Sequence, residues 1–181
     1  MINHIIKSFQ PKLEGFEVDI KTALGSVEAS EGFRLVAKKE GKKINATITY
    51  QQDHAVRYAL NALLKFAQAS ENSIDISSAP DFKVRGVVEG FYGKPWSHQQ
   101  RLKAIENFGD FNFNTYFIAP KDVPWQRFNW RQPFGNEFIE LTKELIVKGL
   151  ENGIAVTAPA QISSVVSKRP WPNCPVPLFP R

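Results

Sequence analysis

Alternating apolar and polar residues mark three strands within the first fifty positions. In FEVDIKTA (16–23) the apolar residues alternate with charged ones, which is the period of a strand with one buried face. The stretches FRLVAKK (33–39) and KINATITY (43–50) alternate in the same way. Because KKEG supplies a turn between these two stretches, they are predicted to form a β-hairpin.

The apolar period changes to that of a helix in HAVRYALNALLKFAQA (54–69). Asp53 is expected to be the N-cap of this helix. Apolar residues recur at helical spacing and are predicted to face the core: Val56, Leu60, Leu63, Leu64 and Ala67. The polar stretch SENSIDISSAP (70–80) is interpreted as the boundary of a small N-terminal α/β domain that spans residues 1–80.

Beyond Phe82 a second pattern begins. FKVRGVVEG (82–90) is mostly apolar and β-branched, which predicts a strand buried on both faces. SHQQ fits a capping box formed by Ser97 and Gln100 at the start of a helix. FNTYFIAP (113–120) then predicts a second strand.

A second helix and a third strand complete this pattern. Asn136 is expected to cap the helix, Gly153 follows its end, and IAVTAPA (154–160) predicts the strand. The apolar residues expected to face inward are Phe138, Ile139, Leu141, Leu145 and Ile146. The order β-α-β-α-β predicts parallel strands covered by helices, and therefore an α/β fold class.

Two loops should carry any function of this second part, because parallel α/β folds bind ligands at the carboxyl ends of their strands. They are EGFYGKPW (89–96) and APKDVPWQRFNWRQPF (119–134). The two loops are expected to gather five residues at one rim: Gly90, Tyr92, Lys121, Asp122 and Trp125.

Each residue of these loops also has a structural interpretation. The glycines Gly90 and Gly93 either permit positive φ in a tight turn or let a ligand approach the backbone. Tyr92 could instead be a packed loop aromatic, and Lys121 with its neighbour could form a surface ion pair. Glu89 stands at a strand end, where a buried carboxylate could act as an acid or base. The interpretation favoured here is that Glu89 anchors a loop.

The composition excludes several classes of protein. With 181 residues, of which 43% are hydrophobic and 23% charged, the chain has a globular composition of one or two domains. Its net charge of +5 is scattered along the sequence, so nucleic-acid binding is not expected. Cys174 is the single cysteine, and the three histidines lack ligand spacing, so neither a metal site nor a cofactor is expected.

The sequence also bears on location. It has no apolar segment of 18 residues and its start does not resemble a signal peptide, so no membrane association is expected. A cytoplasmic location is expected if the start of the chain is native. The sequence does not fix the location beyond this condition, and it does not fix the oligomeric state.

Several separated motifs resemble one enzyme family. RGVVEGFYGKPWSHQQRL (85–102), NTYFIAPKD (114–122) and WRQPF (130–134) resemble, in this order, the opening of the catalytic barrel of glycoside hydrolase family 84. These are β-N-acetylglucosaminidases that include O-GlcNAcases and bacterial enzymes once labelled hyaluronidases. The resemblance spans about residues 82–160. The preceding part is similar to the family's N-terminal α/β domain, with VRYALNALLKFA in the place of its amphipathic helix.

The resemblance implies a (β/α)₈ barrel enzyme that removes terminal β-linked N-acetylglucosamine from a glycan or glycoprotein. It implies substrate-assisted retaining hydrolysis without a metal, in which the acetamide of the substrate attacks the anomeric carbon and two aspartates assist. Three residues here match substrate-binding positions of the family. Gly90 matches a glycine whose backbone contacts sugar hydroxyls, Tyr92 an aromatic lining the pocket, and Lys121 a lysine that hydrogen-bonds the sugar.

The sequence departs from the family in its catalytic residues. The family has two adjacent aspartates after its fourth strand, whereas no two aspartates are adjacent here and none lies beyond Asp122. A (β/α)₈ barrel takes about 250 residues. Residues 81–168 are predicted to form only about three strands of such a barrel, and residues 169–181 are predicted to form a proline-rich tail. We therefore expect an incomplete TIM barrel, truncated or completed by another chain, without catalytic residues and inactive alone. The alternative is a non-catalytic remnant that binds carbohydrate or a protein partner.

Overall fold

The computed structural model describes residues 2–122 and 132–157, which form a mixed α/β structure. The chain divides into two compact units, Met1–Phe82 and Lys83–Arg181. Each unit has its own cluster of buried apolar side chains. The described helices all fall short of the length and apolarity that crossing a bilayer requires.

The first unit is a four-stranded mixed sheet with helices packed on one face. Strand β3 pairs in parallel with β1 and antiparallel with β2, and β2 pairs antiparallel with β4, which gives the order β1-β3-β2-β4. The elements in chain order are α1 (Ile2–Phe9), a 3₁₀ helix (Gln10–Leu13), β1 (Glu17–Leu24), β2 (Phe33–Glu40), β3 (Lys43–Tyr50), α2 (Ala55–Gln68) and β4 (Ser73–Ser78).

The alternation in the sequence correctly predicts the buried face of this sheet. Strands β2 and β3 form the expected hairpin, with Glu40 opposite Lys43 across a turn at Gly41. Alternate residues of these strands are buried, and the helical stripe of α2 packs against them. Six of these side chains are fully buried: Leu35, Ile44, Ile48, Val56, Leu60 and Leu63. The short helix α1, which the sequence pattern did not predict, packs Ile5 and Phe9 into the same cluster.

One expectation for the first unit is wrong. The N-cap of α2 is His54 rather than Asp53, and its side chain makes no capping hydrogen bond. A backbone turn takes over that role, because the carbonyl groups of Gln52, Asp53 and His54 accept the first N–H groups of the helix. Within the stretch 70–80, Ser73–Ser78 forms an edge strand whose Ile74 and Ile76 pack on the core, and the first unit ends shortly after it, at Phe82.

The second unit is a parallel sheet of order β5-β6-β7 in its described part. Helices α3 and α4 connect these strands, so the predicted β-α-β-α-β order and parallel pairing are confirmed. The elements are β5 (Gly86–Glu89), α3 (His98–Asp110), β6 (Thr115–Ile118), α4 (Asn136–Glu151) and β7 (Ala155–Thr157).

The ends of the two helices follow local sequence chemistry. Ser97 and Gln100 form the predicted capping box, with both reciprocal hydrogen bonds present. The N-cap of α4 is Gly135 rather than Asn136, so the expected cap is wrong by one residue. Gly153 follows the end of α4 as predicted, at φ 70°, and the amide of Ile154 donates to the carbonyl of Gly149 in a Schellman motif.

The burial of this sheet differs from the prediction at two places. Strand β5 is not buried on both faces, since Val88 is 60% exposed. Helices α3 and α4 lie against the opposite face, where Ile105 and Leu145 surround Tyr116. In α4 the expected inward residue Leu141 is also exposed, and the polar Thr142 is buried in its stead.

The register of β5 and β6 brings two loops together. Glu89 pairs with Ile118 at the carboxyl ends, so the loops that follow begin side by side. The strands approach closely at their other end, where a Cβ on Gly86 would lie 1.8 Å from the carbonyl oxygen of Thr115. A larger residue at position 86 would therefore force the two strands apart.

Candidate functional site

The two loops at the carboxyl ends of β5 and β6 are joined by backbone and side-chain contacts. We call residues 90–97 the first loop and residues 119–135 the second loop; residues 123–131 of the latter, including Trp125, lie outside the described residues. The amide of Lys121 donates to the carbonyl of Phe91 at 3.1 Å. The expected meeting of the two loops is therefore observed.

Asp122 holds the turn of the first loop. Its Oδ2 accepts a hydrogen bond from the amide of Gly93 at 2.5 Å. Gly93 has φ 94°, a conformation that other residues rarely adopt. The structural alternative is therefore correct for Gly93, and Asp122 bonds to the loop backbone as a loop-forming residue.

The three residues matched to the family lie on these loops. Tyr92 is 66% exposed, so it is not a packed loop aromatic. The ammonium group of Lys121 lies 5.7 Å from the centroid of the Tyr92 ring, a cation–π distance. Gly90 does not have positive φ, and a Cβ there would lie 3.2 Å from Cγ1 of Val88. The structure thus brings Tyr92 and Lys121 together, and at Gly90 the Val88 side chain leaves little room for a Cβ.

Below the first loop, Glu89 is 0% exposed and accepts four hydrogen bonds. Its Oε1 accepts from the amide of Trp96 at 3.1 Å and from Nη2 of Arg101 at 2.9 Å. Its Oε2 accepts from Nε of Arg101 at 2.9 Å and from the hydroxyl of Tyr116 at 2.5 Å. A carboxylate with every oxygen occupied and none exposed fits an anchor of the loop better than an acid or base.

Electrostatics keep Tyr116 and Arg101, two donors of this cluster, protonated. Burial, together with the hydrogen bond to Glu89, raises the pKa of Tyr116 far above its usual range. Burial alone would lower the pKa of Arg101, but the hydrogen bonds and charge of Glu89 outweigh it and raise that pKa. At neutral pH, therefore, a neutral tyrosine and a charged guanidinium both donate to one carboxylate.

Aromatic rings cover the same cluster. Trp96 stacks on Tyr116 with ring centroids 6.4 Å apart and an angle of 30° between the ring planes. Phe91 packs on Trp96, with the centroids of the two rings 5.6 Å apart. The rings extend from the buried strand to the exposed first loop and exclude water from the Glu89 carboxylate.

Sequence reasoning did not select Arg101 or Tyr116. A signal was present for Arg101, because it stands four residues before Ile105 and so falls on the buried stripe of α3. A charged residue on such a stripe requires a buried partner of opposite charge. Within residues 2–122 and 132–157, histidine, cysteine, aspartate and glutamate side chains form no group of three suited to a metal ion.

The comparisons of this chain with a family model and with curated proteins agree with each other. The family model described as NAGidase, beta-N-acetylglucosaminidase, matches residues 85–160, which contain both loops and the Glu89 cluster. The Protein O-GlcNAcase of Rattus norvegicus is 43% identical over 61 residues, which are 34% of this chain and 7% of that protein. The resemblance to glycoside hydrolase family 84 is confirmed.

Solved structures extend the likeness beyond the matched segment. CpGH84B aligns with a TM-score of 0.60 and 29% identity, covering 85% of this chain and 25% of its own. The aligned part of this chain is longer than either compact unit, so the likeness includes residues of both units. CpGH84D aligns with a TM-score of 0.62 and 21% identity over 86% of this chain and 31% of its own, which shows a shared fold. The chain thus spans a small part of the length of these family 84 relatives.

Proposed function

We propose that this chain supplies the N-terminal domain and the first part of the catalytic barrel of a retaining β-N-acetylglucosaminidase. In this proposal residues 1–80 form the N-terminal domain, residues 81–168 form part of a TIM barrel, and the two loops form one side of a pocket for terminal β-linked N-acetylglucosamine. The observation that carries the proposal is the contact of Tyr92 with Lys121 at the carboxyl ends of two parallel strands.

The chemistry of the three residues suits a sugar. Gly90 has no side chain of its own, so a sugar hydroxyl could come within hydrogen-bonding distance of its partly exposed backbone. The ring of Tyr92 offers an apolar face for the C–H groups of a pyranose, and the ammonium of Lys121 donates to its oxygens. The first loop is tied at its backbone to Lys121 and Asp122, so little ordering of this loop is needed on binding.

The proposed reaction is substrate-assisted. The acetamide carbonyl oxygen bonds to the anomeric carbon while the glycosidic bond breaks. The leaving oxygen takes a proton from one carboxylic acid and the acetamide N–H gives its proton to a second carboxylate, which yields a neutral oxazoline. Water then attacks the anomeric carbon and gives a proton to the first carboxylate, while the ring nitrogen regains its proton from the second as the oxazoline opens. The adjacent aspartates that the family uses are not among these 181 residues. We therefore propose that this polypeptide binds the sugar but does not hydrolyse its glycosides without carboxylates from further residues or another chain.

Equilibrium binding of methyl β-N-acetylglucosaminide to single variants tests the proposed site. We expect the wild-type chain to bind with a dissociation constant of about 1 mM, because only one side of the pocket is present. Tyr92→Ala and Lys121→Ala should each weaken binding about tenfold, the value of one hydrogen bond to a charged group or one stacking surface.

Matched controls separate loss of the site from loss of an exposed side chain. Phe111→Ala removes another exposed aromatic, located between α3 and β6 at the opposite ends of the strands. Lys42→Ala removes an exposed lysine from the hairpin turn of the first unit. Both should bind the sugar with wild-type affinity. Equal affinities for Tyr92→Ala, Lys121→Ala and these controls would show that the loops do not form the site.

A further inference from the structure

The Glu89 carboxylate joins the first loop to two neighbouring elements of the second unit. Glu89 is the last residue of β5, Arg101 lies on α3, Tyr116 lies on β6, and Trp96 lies within the loop itself. All three partners donate hydrogen bonds to the same side chain, at distances between 2.5 and 3.1 Å. A shift of any of these elements therefore changes the environment of one buried group.

The hydrogen bond from Trp96 closes the first loop into a ring. Its amide is seven positions from Glu89 in sequence, and the residues between them include Gly90, Tyr92 and Gly93. Within this ring the carbonyl of Phe91 accepts from Lys121, and the amide of Gly93 donates to Asp122. The loop is thus fixed to the second loop at its turn and to the sheet at its base.

The charge of Glu89 is required for this arrangement. Each carboxylate oxygen accepts two hydrogen bonds, and Arg101 can only donate. An amide in its place would keep one acceptor oxygen and turn an NH₂ group toward the remaining donors. Tyr116 can reverse its hydroxyl to accept from that NH₂ group, whereas the guanidinium would face it without a bond.

We propose that Glu89 is the positioning residue of the sugar site: through Trp96 and Arg101 it sets the position of the Gly90 backbone and the Tyr92 ring relative to Lys121. This inference rests on the proposed function. Glu89 does not contact the sugar, since it is fully buried under the loop. Its effect on affinity is transmitted by the loop backbone.

The test compares Glu89→Gln with a variant that lowers stability without removing any of the Glu89 hydrogen bonds. Ile105→Val removes one methyl group from the core of the same unit, and Ile105 makes none of the Glu89 hydrogen bonds. Binding is measured at a temperature where circular dichroism shows both variants fully folded. We expect Glu89→Gln to bind methyl β-N-acetylglucosaminide at least tenfold more weakly than wild type, and Ile105→Val to bind it unchanged.

A second readout does not require the sugar. In amide NMR spectra, Glu89→Gln should shift the signals of Gly93 and Trp96, whereas Ile105→Val should leave them in place. Unshifted loop signals, or unchanged affinity in a binding-competent chain, overturn the positioning role. If the wild-type chain binds no sugar but these signals shift in Glu89→Gln alone, the proposed function fails while the control of the loop by Glu89 stands.

If Glu89→Gln does not fold, a milder variant, Arg101→Lys, tests the same proposal. Arg101→Lys keeps the positive charge but cannot donate to both carboxylate oxygens in a fork. It should weaken sugar binding by threefold to tenfold and shift the same two amide signals. Wild-type affinity together with unshifted signals in Arg101→Lys would overturn the proposal.

Discussion

At the scale of single residues, the clearest electrostatic contact outside the site joins helices α3 and α4 of the second unit. Glu106 of α3 accepts from Lys148 of α4 at 2.7 Å and from Lys103 at 2.9 Å. The hydrogen bonds from Lys148 and Lys103 lower the pKa of Glu106 to about 2. Since its side chain is 38% exposed, solvent screening keeps the contribution to stability small.

This contact predicts a specific pH dependence for Glu106→Gln. The folded pKa lies below the model-compound value of 4.5, so the stabilisation is complete above pH 4.5 and is lost as the pH falls toward 2. At pH 7 the variant should unfold about 0.5–1 kcal/mol more easily than wild type. The difference should vanish near pH 2, as measured by urea unfolding. Tryptophan fluorescence isolates the second unit, because all four tryptophans follow residue 83.

Glu140→Gln is the matched control for this prediction. Glu140 forms an exposed pair with Lys143 within the same helix, three residues away. Removing its charge should change the unfolding free energy by less than about 0.5 kcal/mol. An equal loss in both variants at pH 7 would contradict a special role for the contact between the helices.

Single residues also show how far the sequence predicts the candidate site. The nearness of Tyr92 and Lys121 could be expected, because parallel strands end at one edge and each residue follows a strand. The convergence of Trp96, Arg101 and Tyr116 on Glu89 could not. It depends on how α3 turns toward the sheet, which is set by packing between residues distant in sequence.

At the scale of elements, the ends of the helices separate local sequence signals from their surroundings. Ser97 forms a capping box because Gln100 stands three residues later and returns the hydrogen bond. Asn136 does not cap α4, because it is the first residue of the helix and Gly135 occupies the N-cap position. The same kind of residue therefore caps one helix and not the other.

Alanine variants at these two positions should differ in stability. Ser97→Ala removes the acceptor of the Gln100 amide and should lower the unfolding free energy by about 1 kcal/mol. Asn136→Ala should change it by less than about 0.5 kcal/mol, the usual range for an exposed position. Urea unfolding followed by tryptophan fluorescence measures both. A loss of about 1 kcal/mol in Asn136→Ala would show that this residue caps α4.

The elements themselves were predictable to different degrees. Strands β2 and β3 alternate over their whole length, so pattern and structure agree. The sequence pattern does not predict strand β4, because serine and aspartate surround its two isoleucines and make the stretch polar, and only pairing with β2 shows it to be an edge strand. Helix α1 is eight residues long, too short for its period to be recognised with confidence against a turn.

At the scale of the whole molecule, the two units differ in how much core they contain. The first unit buries a large cluster from β2, β3 and its helices, with partly buried residues of β1 and β4 packed against it, whereas the described part of the second buries a small cluster around Tyr116. The family 84 match covers residues 85–160 of this second unit. The proposed pocket is accordingly one-sided, which explains why weak binding without hydrolysis is expected.

The most direct test of the account is an amide NMR titration of the full chain with methyl β-N-acetylglucosaminide. We predict saturable shifts for Gly90, Tyr92, Gly93 and Lys121, with the glycoside still intact when the titration ends. Shifts that do not saturate, or that fall only on residues of the first unit, would contradict a sugar site on the two loops. Release of free N-acetylglucosamine by the purified chain would contradict the proposal that these residues bind the sugar without hydrolysing it.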